Sequence, residues 1–455
     1  MLRQRVMPGA QGLRADRDHF ALCNDPPPRN HHPVSAQGSA WRQRRQRIVT
    51  ARKAQILIEA EQRKVCRRVI EGRVGVPPAF AGKLTPARIR DLSVFVLSRA
   101  KSRKSILNRI YRRNHVDRIG VGIVGNGMAT RVFHTPYIRA VSALDLRGVV
   151  SRNADASPPA PGVPLVGDIA DLLANPAIDL VVIATPSGTH ADLARRVLES
   201  GRHVVVEKPF ALNLDEARGL VDLARTRGLI VTAFHNRRWD SDFLGMRAAI
   251  EADLIGPIVH FESRFDRFRP VPRDRWREDG GPGSGIWYDL GPHLVDQAVV
   301  LFGAPLRVSA DLAVLRPGGR AHDWAHVTLQ YAQARVILQA SMVVAGGSPR
   351  FVAHGLTGSL IKPVADVQEA QSVAGLTPDA AEWGIDPDPL HHWDAQGREH
   401  LIAVPRGCQP TFYAKLAQAC LGRGPPPNTP DQILMVQAIL DLAITAAETG
   451  QTMTL

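Results

Sequence analysis

The stretch Ile119-Gly120-Val121-Gly122-Ile123-Val124-Gly125-Asn126-Gly127-Met128-Ala129-Thr130 decides the fold. Six apolar residues without polar alternation read as a strand buried on both faces. The strand runs directly into Gly-x-Gly, where the backbone must turn tightly and approach a pyrophosphate whose charge sits at the next helix N-terminus. A glycine pair alone is weak evidence, because many such pairs only make turns. Its meaning depends on what surrounds it.

The surroundings repeat the same unit. Apolar runs at 146–150, 180–184, 203–206 and 229–234 predict further buried strands, and helical periods at 189–200 and 214–227 end in Gly201 and Gly228, as helix C-termini commonly do. This is the pattern of a doubly wound parallel α/β sheet, predicted over 118–236. In that setting Gly125, Asn126, Gly127, Met128 and Ala129 read as a dinucleotide-binding turn. The third small position of that turn is Thr130, so helix-to-strand packing should differ slightly there.

Beyond residue 236 the texture changes. A helix is predicted at 240–253, alternation over 258–268 predicts a half-buried strand, and β-rich runs follow at 306–315, 322–339 and 351–362. A long apolar-periodic helix is predicted over 430–449. These elements predict a second, α+β domain over 237–455, with a large open, mostly antiparallel sheet resting one face on helices.

The charge of +14 suggests a nucleic-acid partner until its location is considered. Residues 1–117 hold 26 Lys+Arg and 8 Asp+Glu, whereas 118–455 hold 31 and 35, so the main body is slightly acidic. No nucleic-acid partner is expected for that body. The leader mixes Pro-rich and His-rich patches with the basic run 41–47 and reads as poorly ordered, or as a start site assigned too far upstream. Arg44-Arg45 is not followed by the apolar core of an export signal, and no run of about 18 apolar residues appears, so a cytoplasmic protein with no membrane partner is expected. Cys23, Cys66, Cys408 and Cys420 form no C-x-x-C pair, and no His cluster has metal-ligand spacing, so reduced thiols and no metal site are expected.

Candidate chemistry lies at the carboxyl ends of the strands, where open α/β sheets place ligands. The second strand ends in Ser151-Arg152-Asn153, with no carboxylate to accept from both ribose hydroxyls of NAD; Arg152 offers charge-assisted hydrogen bonds to a 2′-phosphate, which favours NADP and leaves NAD possible. Thr185, Pro186 and Ser187 should border the cofactor. His190 reads either as another cofactor neighbour or as a helix N-terminal residue. Glu207-Lys208-Pro209 ends the strand at 203–206, and Pro209 restricts the lysine to extended backbone or permits a cis bond. The Lys208 ammonium can hydrogen-bond both the nicotinamide side and a substrate hydroxyl. Asp289 and His293 are spaced i, i+4, so in a helix both project from one face, and histidine suits proton exchange near neutral pH.

Jointly, the segments 125–136, 184–190, 207–209 and 289–293 resemble the Gfo/Idh/MocA oxidoreductases. Segments 234–240 and 262–268 are similar to the branch containing NADP-dependent scyllo-inositol dehydrogenases. The resemblance spans about 118 to the C-terminus and leaves the basic leader outside. It implies a Rossmann domain followed by a substrate-binding and oligomerisation domain, and a hydride exchange between NAD(P) and a secondary alcohol or ketone of a cyclic polyol or sugar. It further implies catalytic roles for Lys208, Asp289 and His293, a cofactor role for Glu207 and a substrate role for Asn236, Arg237 and Trp239, while the open sheet of the second domain, able to pair with a copy of itself, leads to the expectation of a homodimer or homotetramer. A non-catalytic dinucleotide-binding sensor on the same fold is the alternative.

Overall fold

The computed structural model describes residues 118–153 and 155–455. The basic leader, with Cys23 and Cys66, lies outside the described residues.

The first sheet is built from β1 (Ile119–Val124), β2 (Leu144–Val150), β3 (Leu165–Val166), β4 (Leu180–Ile183), β5 (His203–Val206) and β6 (Val231–Ala233). Its order is β3-β2-β1-β4-β5-β6 and every pairing is parallel, the doubly wound arrangement whose direction reverses between β1 and β4. β1 is buried at all six positions, which explains its unbroken apolar run. Helices α1 (Thr135–Arg139), α2 (Ile169–Ala174), α3 (His190–Glu199) and α4 (Leu214–Arg227) connect the strands. The side chain of Asn213 caps α4 by accepting from the Glu216 amide, and Gly228 ends it with φ +63°.

Gly125 adopts φ +107°, and a Cβ there would lie 2.3 Å from the carbonyl oxygen of Ala184. Only glycine lets β1 turn so close to the end of β4. Above Gly127, by contrast, a Cβ would meet nothing within 4 Å, which leaves open space over the turn. Thr130 does change the local packing: its hydroxyl donates to the Gly125 carbonyl (2.7 Å), and it begins a π-helical turn over Thr130–His134 before α1.

After α5 (Ser241–Glu251) comes β7 (Ile258–Asp266), then α6 (Ile286–Phe302), β8 (Arg307–Ala313), β9 (Trp324–Gln330), β10 (Arg335–Ser341), β11 (Phe351–Gly355) and β12 (Ser359–Lys362). A short α7 (Gln368–Val373), β13 (Leu390–Trp393), β14 (Glu399–Ile402), α8 (Thr411–Cys420), α9 (Pro430–Thr449) and β15 (Met453–Thr454) complete the chain. The nine-stranded sheet runs β14-β13-β12-β11-β7-β10-β9-β8-β15, antiparallel except between β7 and β10. The runs expected at 322–339 and 351–362 are hairpins, broken at Tyr331–Ala334 and Leu356–Gly358.

One face of this sheet carries the largest core, with Phe261, Val327, Leu329, Val336, Leu338 and Phe351 packed on Leu294, Val295 and Ala298 of α6 and Val436, Ile439 and Leu440 of α9. α9 is the one described helix long and apolar enough to cross a membrane, and these contacts make it a core helix of the fold. α8 instead packs Phe412, Tyr413 and Leu416 onto the first sheet, beside Val121, Ile123 and Val182. The chain thus returns from its second sheet to roof its first.

Candidate active site

Lys208 stands at the carboxyl end of β5, and the Lys208-Pro209 bond is cis. Its Nζ donates to Oδ1 of Asp289 (2.8 Å) and to the main-chain carbonyl of the same residue (2.5 Å). Both side chains are about six-sevenths buried, at 14% and 15% exposed. Burial alone would raise the Asp289 carboxyl, but the charges of Lys208 and Arg277, whose Nε lies 3.4 Å away, outweigh it and hold the group well below the usual carboxylate range. The pair is therefore an ion pair that joins the two sheets' elements at one point.

His293 lies one turn further along α6, on the face of Asp289, and is buried. Burial, and then the cationic surroundings of Lys208, Arg237 and Arg350, push its imidazole well below the ordinary histidine range, so the ring is neutral at pH 7. The neutral ring keeps a buried Nδ1 without a protein partner among the described residues, an acceptor for a proton. His235, at the end of β6, is likewise buried and lowered, first by burial, and neither ring nitrogen is hydrogen-bonded among the described residues; its Nε2 lies 3.9 Å from Asp296.

The wall beyond His293 carries an aromatic ring and two arginines, each paired with a carboxylate, Arg350 with Asp242 at 3.2 Å. The Phe265 ring meets His293 edge-on and has the guanidinium of Arg350 at 3.8 Å and that of Arg237 at 4.8 Å. Arg237 is held by Asp240 (3.1 Å) and Glu369, while Arg350 donates to Ser263 (2.7 Å) and Gln297 (2.5 Å). Arg237 thus stands in the site's wall. Asn236, by contrast, is buried and bound to Gln409, and Trp239 is packed against Phe412 in the core of the first sheet.

On the cofactor side, Gly125, Asn126, Gly127, Met128 and Ala129 form the turn after β1, with Met128 63% exposed over it. Asn126 donates to the Ser157 carbonyl, and its Oδ1 is buried without a partner among the described residues. Ser151 bonds the Asn153 carbonyl, and Arg152 is exposed at the end of β2. Thr189 donates to the Pro186 carbonyl, so Thr185 must donate to Thr189, which ties down the loop after β4. Ser187 is buried in that loop. The ring nitrogens of His190 lie 2.8 Å from the Pro209 carbonyl and 2.9 Å from that of Thr185, so this histidine staples the two ligand-side loops together. The open space over Gly127, the orphaned Asn126 oxygen and the exposed Arg152 fit a dinucleotide laid across β1, β2 and β4.

The cofactor-side features sit at the carboxyl ends of β1, β2, β4 and β5. Residues 119–235 match the description "Oxidoreductase family, NAD-binding Rossmann fold" and residues 247–455 match "Oxidoreductase family, C-terminal alpha/beta domain". The chain belongs to the Gfo/Idh/MocA family. It is 43% identical to the Escherichia coli oxidoreductase YdgJ, over 74% of this chain and 99% of that one. It is 31% identical to the Bacillus subtilis scyllo-inositol 2-dehydrogenase (NADP(+)) IolW, over 75% and 98%. A solved oxidoreductase structure from Klebsiella pneumoniae superposes with a TM-score of 0.69 at 45% identity, covering 74% of this chain and 95% of that one. The protein is thus a Gfo/Idh/MocA oxidoreductase with an NAD(P)-binding Rossmann domain.

Several residues of this site escape sequence reasoning. Arg277, Arg350, Glu369 and Tyr413 lie in segments without a motif and reach the site only through the fold. His134 lies within the glycine-turn segment, but nothing local marks it as a partner of Glu207, which it meets at 3.0 Å.

Proposed function

We propose that the protein is an NADP-preferring dehydrogenase that interconverts a secondary alcohol and a ketone on a cyclic polyol or sugar. The ion pair of Lys208 and Asp289 beside the neutral His293 carries this reading. Bound NAD(P) supplies the site for hydride exchange. This chain's residues bind, orient and manage the proton. The Lys208 Nζ has a third N–H to donate to a substrate hydroxyl after its two bonds to Asp289. His293 takes the hydroxyl proton in the oxidative direction and returns it in reduction. Asp289 fixes the ammonium, and Arg237 presents hydrogen-bond donors from the wall. Arg152 supports NADP by offering a guanidinium to a 2′-phosphate. The similarity to a relative named as an NADP-dependent scyllo-inositol dehydrogenase supports an inositol-like substrate.

The assembly proposed is a homodimer, or a pair of them, made by the open face of the nine-stranded sheet. Ile337, Val352 and Ile361 alternate with the buried core residues of their strands and pair with Glu262, Thr328 and one another across the ladder. Nine strands averaging about five residues and spaced about 4.8 Å apart give a face of about 700–800 Å². A standard interface buries about 800 Å² per partner, so a second copy fits. A cytoplasmic location accords with this soluble dehydrogenase reading.

The test is reduction of NADP and of NAD across inositol isomers, aldoses and polyols, with Lys208→Ala and His293→Ala alongside. Turnover of at least one polyol, abolished by both changes, is expected. A protein that binds nicotinamide cofactor yet turns over none of them is a sensor and overturns the proposal.

A further inference from the structure

We infer that His134, held between Tyr413 and Glu207, is a positioning residue for Lys208. This inference rests on the proposed role of that lysine. The chain of contacts is unbroken and buried: the Tyr413 hydroxyl lies 2.7 Å from Nδ1 of His134, Nε2 of His134 lies 3.0 Å from Oε1 of Glu207, and Oε2 of Glu207 accepts the backbone N–H of Lys208 at 3.0 Å. His134 and Tyr413 are fully buried, and the Glu207 side chain is 12% exposed.

The tautomer follows from the partners. Burial would raise the Glu207 carboxyl, but the hydrogen bond from His134, the charge of Lys208 and the Lys208 amide outweigh it, so Glu207 is a carboxylate that only accepts. Nε2 of His134 must therefore carry a proton. Burial pushes the Tyr413 phenol up, so it stays an O–H and donates to Nδ1. Each polar atom in the row then has a role, and the ring has one orientation. The Phe234 ring, 4.4 Å from that of His134, supports the same pose.

What this fixes is the lysine's own peptide. Glu207 spends one oxygen on His134 and the other on the Lys208 amide, so the main chain entering the catalytic lysine is anchored by a contact separate from the one its ammonium makes with Asp289. Tyr413 comes from α8, so the last third of the chain sets the placement of a residue in the first sheet. A catalytic group displaced by about 1 Å loses about 100-fold in rate. Glu207, expected as a cofactor contact, is occupied with this anchoring.

The experiment compares His134→Gln, His134→Ala, Glu207→Gln and Tyr413→Phe in the full chain. Hydrogen exchange in the peptide spanning Lys208 is followed by mass spectrometry without cofactor. NADPH binding is followed by fluorescence, and polyol kinetics are followed at saturating cofactor. Faster exchange at Lys208 in Tyr413→Phe and His134→Ala is expected, with partial protection kept in His134→Gln, whose amide still reaches Glu207. A fall in kcat of about 10-fold for Tyr413→Phe and about 100-fold for His134→Ala is expected, with NADPH affinity near the parent value. Should His134→Ala fail to fold, Tyr413→Phe, which removes one hydroxyl, carries the test alone.

Unchanged exchange at Lys208 in Tyr413→Phe and His134→Gln overturns the inference. So does a loss confined to NADPH affinity, which would make Glu207 a cofactor contact. A parent protein without polyol turnover removes the proposed function instead, and the exchange data then judge the anchoring by themselves.

Discussion

Lys208 Nζ lies 2.8 Å from Oδ1 of Asp289 across 81 residues of sequence, and the same ammonium reaches that residue's carbonyl. The carboxylate is one of two groups that fix where the ammonium points. Asp289→Asn keeps the shape of the side chain and removes its charge. Turnover is expected to fall by about 100-fold while cofactor affinity stays near the parent value, because the loss falls on proton handling and orientation. Steady-state kinetics with a parallel fluorescence titration of NADPH measures both. A pure rise in the KM for polyol with unchanged kcat would mean that the pair only binds substrate.

Acid should weaken both stability and oxidation. Burial lowers His235 and His293 alike, so each stays neutral in the fold at a pH where the free imidazole, titrating near about 6.5, begins to charge. Between the folded and unfolded values the unfolded chain binds more protons, so stability drops as pH falls through about 6.5. Glu207 and Asp289, held low, lose their contribution further down, below about pH 4.5. Asp240, raised by burial and by Asp366, has the opposite sign, stabilising at low pH and losing that contribution as pH rises through its folded value. Thermal melts from pH 7.5 to 5.5 should show a falling Tm, with a shallower fall in His293→Gln. The acid limb of kcat for oxidation should lie below pH 6.5. A fall in Tm as steep in His293→Gln as in the parent would remove His293 from this linkage.

Arg152 is exposed at the end of β2 and makes the cofactor choice testable with one residue. A hydrogen bond to a charged group contributes about 1.5–3 kcal/mol, so Arg152→Ala should raise the KM for NADP by about 10–100-fold and leave NAD nearly untouched. Arg152→Asp should go further and favour NAD, because a carboxylate accepts from the ribose hydroxyls and repels the 2′-phosphate. The ratio of kcat/KM for the two cofactors reports the outcome. An unchanged ratio would make Arg152 a solvated loop residue.

Legibility in the sequence followed the range of the signal. The strand at 119–124, the strand at 203–206 and the helices at 214–227 and 430–449 coincide with the observed elements, because burial pattern and capping residues act within a few positions. The hairpin turn at Tyr331-Ala332-Gln333-Ala334 contains neither glycine nor proline, and the run through it reads as one strand. β13, β14 and α8 were not expected at all; the first two are four residues long and rich in histidine. Lys208 stands out in the segment 207–209, and Asp289 with His293 in the single segment 289–293; the fold brings Lys208 and Asp289 into contact. Tyr413 and Arg350 were not legible, since they meet His134 and Phe265 only after α8 folds onto the first sheet and β7 pairs with β11.

The open sheet face offers the last test. Ile337 sits near its middle, opposite Glu262 on one side and Thr328 on the other, away from the core that Val336 and Leu338 join. In a face-to-face dimer it would be buried, and Ile337→Glu would place a carboxylate in a dry interface beside Glu262. An unpaired charge there costs several kcal/mol, enough to shift the dimer's dissociation constant by 100-fold or more. Sedimentation velocity at micromolar concentration should show the parent as a dimer or tetramer and Ile337→Glu reduced to a smaller species. The Lys208–Asp289 contact lies wholly within one chain, so the smaller species should retain NADPH binding. A parent that is monomeric, or a variant with unchanged assembly, would leave this face to solvent and move the contact between copies elsewhere.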